Sequence, residues 1–274
     1  MGPFRHTDWV RCWQIRQQRL PRIGLWLGWA ICSAFLVLIV QCQLAPAVSA
    51  QTPSDRFEEI LPLSQAHPLP ASLTQWQDVE PAGDYFSEIQ PTKLGYLIWS
   101  NFPVKVYVEP VAASEPEHSR AQVWVDAVQQ AVMEWKTYLP LTLVDSSESA
   151  DIAILRETPQ LKKQPGQPLR ASSAETTYEF YVAESAEATQ ILSHRYRILL
   201  RPGQTATYLL AAARHELGHA LGIWGHSPVE TDVLYFSQVR NPPPISPRDV
   251  NTLKRIYEQP TRLGWELRQQ VSEQ

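Results

Sequence analysis

The chain has 274 residues, a formal charge of −4 and 44% hydrophobic residues, which allows one sizeable folded domain with an extension. Setting aside residues 1–50, with five of the 24 basic residues and one of the 28 acidic ones, leaves 19 against 27 and a formal charge of −8. An acidic body of this kind excludes nucleic acid as an expected partner.

In chain order, Arg5, Arg11, Arg16, Arg19 and Arg22 stand against one acid, Asp8, and precede an apolar run from Ile23 to Val40. This is the pattern of an export signal. Val48-Ser49-Ala50 before Gln51 has the small-x-small form that signal peptidase cuts. The run of 18 residues is also about the minimum that spans a bilayer, so a signal peptide over 1–50 and an N-terminal anchor through residues 23–40 both stay open. Either way the residues after 50 are placed outside the cytoplasm. The cysteines Cys12, Cys32 and Cys42 all fall in the leader, so the exported part is expected to stand without a disulfide.

Residues 51–96 are rich in Pro, Ser, Gln and Ala, and read as a linker or an extended wrap, with order expected from near Trp99. Val104-Lys105-Val106-Tyr107-Val108 alternates as a strand with one covered face. Ser119 and Gln122 resemble a capping box, starting a helix with Trp124, Val128, Ala131 and Trp135 at helical spacing. Two short strands, 141–144 and 151–155, precede a loop over 156–174. Strands follow at 177–182 and 195–200, then a helix over about 205–221. Ser246, Pro247 and Asp249 cap a last helix whose apolar stripe is Val250, Leu253, Ile256 and Tyr257. This order predicts an α+β fold with helices packed on a mixed sheet. Trp99, Trp124 and Trp135 are expected in the core, and His67, His118 and His194 in solvent.

The helix over 205–221 carries His215-Glu216-Leu217-Gly218-His219. Residues four apart share a helix face, so both imidazoles project together, at the separation that binds one Zn2+. Gly222 follows at the helix end, where a left-handed residue can turn the chain back and deliver His226 as a third ligand. Three protein ligands leave a fourth position open, as a catalytic metal requires and a structural one does not. Glu216, beside the first ligand, is placed to take a proton from water and pass it to a leaving amine.

The segment His215 to His226 resembles the long zinc motif of the metzincin peptidases, and its surroundings over about 97–260 are most similar to the matrixin branch. That resemblance implies a metzincin-like zincin fold over 97–274, with a twisted five-stranded mixed sheet, an active-site helix and a C-terminal helix. It implies a monomeric zinc endopeptidase acting on proteins or peptides, with Glu216 as base and His215, His219 and His226 as metal ligands. By the same resemblance the edge strand near 177–182 pairs with extended substrate, and Tyr235 to Pro244 walls the pocket beyond the cut.

Two departures stand out. His226 lies one residue further from the glycine than the family motif places its third histidine, so an extra residue must bulge through Ile223-Trp224-Gly225; Asp232 and Glu230 are alternative third ligands. Leu234 also stands where the family has the methionine of its Met-turn. These departures motivate a rival reading as a catalytically silent zinc- or peptide-binding protein, and composition alone suggests a third, an envelope anchor docking partners through its proline-rich stretch. Asp232 could instead support a ligand histidine or cap a turn. The loop 156–174 has no His or Asp, so no structural zinc or calcium is expected there.

Overall fold

A computed structural model describes residues 60–112, 117–160, 172–185 and 187–268. The leader, most of the loop after residue 160 and the C-terminal hexapeptide lie outside the described residues, and with them the expectations about an export signal, an anchor and ions in that loop. Among the described residues no helix is long and apolar enough to cross a membrane.

Five strands form one mixed sheet: β1 (Val104–Val108), β2 (Leu141–Val144), β3 (Ile152–Leu155), β4 (Ala174–Glu184) and β5 (Gln190–Leu200), in the order β2-β1-β3-β5-β4. The β1–β2, β1–β3 and β3–β5 pairs are parallel, and β4 runs antiparallel to β5 at one edge. Val104, Val106 and Val108 are buried while Lys105 is exposed and Tyr107 partly so. That alternation follows from successive side chains on a strand pointing to opposite faces. The expected mixed α+β architecture is what forms.

β4 and β5 are each longer than the alternation suggested, because they make one hairpin in unbroken register from Ala174↔Leu200 to Glu184↔Gln190. Its turn is held by Ser185, whose amide donates to Thr189 O at 2.8 Å. The ends of these strands carry mixed polar and apolar residues, so only cross-strand pairing, not local pattern, extends them.

Helix α2 (His118–Trp135) buries Trp124, Val128, Val132 and Trp135, touches β1 and β2, and packs along α3 (Ala206–Ala220). Its start differs from the expected box. Glu117 occupies the N-cap without a side-chain bond, Arg120 pairs with Glu117, and Gln122 donates to Asp126 one turn on. With the N-cap at Glu117, two residues before Ser119, Ser119 is inside the first turn and cannot cap it. At α4 (Pro247–Tyr257) the expected box is present, with Ser246 accepting from the Asp249 amide and Asp249 accepting from the Ser246 amide.

Order begins well before Trp99. Residues 60–98, which include the short helix α1 (Ala71–Gln75), form an extended wrap, with Leu61, Leu73, Tyr85, Ile89, Leu94, Leu97 and Ile98 buried. Prolines deny this segment a ladder, so it is tied by separate bonds instead. Gln65 and Thr261 exchange backbone hydrogen bonds at 3.0 Å, and the Trp76 indole donates to Asn251 Oδ1 at 2.8 Å.

Candidate metal centre

The site is built on α3, and two tryptophans clamp its two ends. The Trp135 indole donates to Arg214 O at 2.8 Å, just before His215, and the Trp99 indole donates to Ala220 O at 2.9 Å, just after His219. Both rings are buried, as is Trp124, whose indole donates to Leu200 O. A buried Trp needs a partner for its N–H, and using helix carbonyls for that purpose fixes the helix to the core.

His215, His219 and His226 converge, with one nitrogen from each within 4.8 Å of the others. His215 Nδ1 donates to Val233 O and His219 Nδ1 donates to Ile223 O, both at 2.8 Å. A carbonyl can only accept, so each Nδ1 carries the proton and each Nε2 presents a lone pair. These two Nε2 atoms face each other at 3.1 Å. Two acceptors that close repel unless a cation lies between them. Nitrogen ligands held tetrahedrally at about 2.0–2.1 Å from zinc are separated by about 3.3 Å, so the donor set fits that ion.

Electrostatics point the same way. Burial, and then the neighbouring His215 and His226, lower the His219 pKa well below the ordinary imidazole value. His226 is pushed down to about 4 by loss of hydration and then by His215. Neutral imidazoles are the ligating form.

The spacing anomaly resolves locally. Gly222 has φ +126°, in the region that favours glycine, and a Cβ there would lie 2.8 Å from Leu97 O. The next residues coil tightly, with Trp224 N donating to Gly222 O and Gly225 N to Ile223 O. This compact coil absorbs the extra residue and returns His226 to the triad. Gly225 is required for another reason than unusual dihedrals: its φ is not positive, but a Cβ would collide with Glu88 O of the wrap. Sequence spacing alone held no sign of that neighbour.

Asp232 and Glu230 do not join the cluster found among the described residues. Asp232 is buried, accepts from Ser227 at 2.5 Å and Ser246 at 2.8 Å, and pairs with Arg248 at 3.0 Å. It ties a turn to α4 and supports no ligand histidine directly. Asp249, read only as a helix cap, proves to be the supporting carboxylate. It accepts from Val233 N at 3.0 Å and from Tyr85 Oη at 2.6 Å. Val233 O is the acceptor for His215, so one peptide links the wrap and α4 to a site histidine. Neither Tyr85 nor this use of Asp249 has a local sequence signature. Leu234 is fully buried, and a Cβ on Gly218 would lie 2.6 Å from its Cδ2. It therefore packs directly beneath the motif helix, where the family places methionine.

Glu216 is partly buried, and burial raises its pKa against the lowering influence of His215 and of hydrogen bonds from Thr176. Thr176 Oγ1 donates to Glu216 Oε2 at 2.5 Å. Two sequence expectations fail nearby. His194 is buried within β5 and stacks on Trp99 with centroids 4.1 Å apart, and His67 bonds Leu263 O and stacks on Trp265. The long hairpin carries His194 inward, opposite Phe180, on the face that holds Tyr196.

Two histidines on a helix and a third in the coil that follows it, beside a mixed sheet with an antiparallel edge strand, define a metallopeptidase-like centre. The matrixin family model matches residues 108–258, more than half of the chain, and the chain belongs to that family of zinc-dependent metallopeptidases. Comparison with curated proteins gives no match.

Proposed function

We propose that this protein is a zinc endopeptidase that hydrolyses peptide bonds in proteins or peptides. The observation that carries the reading is the pair of proton-free Nε2 atoms of His215 and His219, facing each other at 3.1 Å with His226 beside them and Glu216 next in sequence. His215, His219 and His226 would hold Zn2+, which when bound supplies a Lewis acid for the scissile carbonyl and makes water more acidic. Glu216 takes the proton of the attacking water and then returns it to the leaving amine. Its raised pKa suits a group that must both accept and release a proton near neutral pH.

The edge strand β4 has no strand partner on its outer side among the described residues, so an extended peptide can add to it by backbone hydrogen bonds. Arg214 supports the segment expected to wall the pocket beyond the cut, since it donates to Pro243 O while pairing with Glu134 on α2. Residues 1–50 would export or anchor the chain, 51–96 extend it, and 97–274 form the catalytic domain, acting outside the cytoplasm as a monomer.

The test is cleavage of a broad fluorogenic protein substrate by the full chain and by Glu216→Ala, with zinc content measured for both. The expected result is about one zinc in each and a loss of about 10²–10⁴-fold in kcat for the variant. Equal zinc with no cleavage by either protein would favour a silent zinc-binding member.

A further inference from the structure

We propose that Thr176, on the substrate-facing edge strand, is the positioning residue for the Glu216 carboxylate: its hydroxyl holds Oε2 so that Oε1 is presented to the water being activated. The proposal rests on Glu216 serving as the base.

Three observations carry it. Thr176 Oγ1 lies 2.5 Å from Glu216 Oε2, the length of a strong hydrogen bond to a carboxylate. The hydroxyl has a single proton, and its contact with the Glu216 backbone carbonyl is longer, at 3.3 Å, so the carboxylate receives it. No other side-chain hydrogen bond to this carboxylate is present among the described residues.

Register explains how a residue 40 positions earlier reaches it. Thr176 pairs with Ile198, on the same face of β4 as Ala174 and Tyr178, and this face packs against α3. Glu216 is one residue from a site histidine, so its backbone is fixed, but its side chain keeps rotatable bonds. A carboxylate free to swing would spend part of its time away from the reacting water, and such misplacement lowers kcat steeply. Because Thr176 belongs to the strand that substrate would lengthen, pairing of the substrate and aim of the base are set by one element.

Thr176→Val keeps the shape and removes the hydroxyl, and Thr176→Ser restores it on a smaller side chain. With the zinc-loaded full chain, Val is expected to lower kcat by about tenfold or more with KM changed less than about twofold, and Ser to recover kcat to within about threefold of the parent. A Val variant with parental kcat, or a Ser variant as slow as Val, overturns the proposal. A second readout needs no activity: melting of the zinc-free Thr176→Val, Glu216→Met and double variants, the Met keeping the length of the side chain without an oxygen to accept the bond. The double variant should lose at least about 2 °C less than the two single losses together, since either change breaks the same bond. Additive losses overturn the proposal. If the parent protein cleaves nothing while this coupling is present, the endopeptidase reading has failed and the Thr176–Glu216 bond has not.

Discussion

His194 is neutral in the fold because burial alone pushes its pKa down to about 3, and its Nε2 has no hydrogen-bond partner among the described residues. In the unfolded chain the ring titrates near its ordinary value of about 6.5. Below that pH the unfolded state binds a proton that the folded state refuses. The stability contributed is therefore complete above about pH 6.5 and is lost as pH falls toward 3, by about 1.4 kcal/mol per unit. Between pH 7.5 and 5.0 the zinc-free protein should lose about 2 kcal/mol through this ring. Urea unfolding of His194→Phe at both values should give a pH loss smaller by that amount, and an unchanged loss would place the titration elsewhere.

At the level of elements, the site depends on how closely α3 meets the turn beneath it. Gly218 has Leu234 Cδ2 at 2.6 Å and Trp135 Cζ2 at 3.2 Å from the place a Cβ would take. Gly218→Ala, which ordinarily favours a helix, should here cost about 1–3 kcal/mol through overpacking. Adding Leu234→Val should recover part of the loss. Denaturant midpoints of the single and double variants check this, and a stabilised single variant would mean that the turn has room to move.

Across the whole molecule, the proline-rich wrap and the metal centre form one mechanical unit. Tyr85 is buried, and its hydroxyl meets Asp249, which holds the Val233 amide, whose carbonyl orients His215. On the other side, Gln90 N donates to Trp224 O, and Ile89 lies against Gly225 in the coil that delivers His226. Tyr85→Phe removes one bond to a buried carboxylate and should cost about 1.5–3 kcal/mol in stability. Because the loss reaches His215 through Asp249, zinc affinity should fall by up to roughly tenfold, the lower end for an outer partner of a metal ligand. Chelator competition and urea unfolding of the same preparation measure both, and a stability loss with unchanged zinc affinity would separate the wrap from the site.

Local chemistry alone determined the motif helix, the alternation of β1, the capped start of α4 and the pairing of His215 with His219, because each depends on residues within a few positions of one another. Gly222 also declared the turn that returns His226. Tertiary structure decided the rest: that 60–98 is packed and not a loose linker, that His194 faces inward, that Gly225 is glycine to clear Glu88, and that Thr176, Asp249 and Tyr85 serve the site. Those outcomes rest on contacts between residues from 16 to more than 160 positions apart, and such contacts leave no periodicity or spacing in the sequence to read.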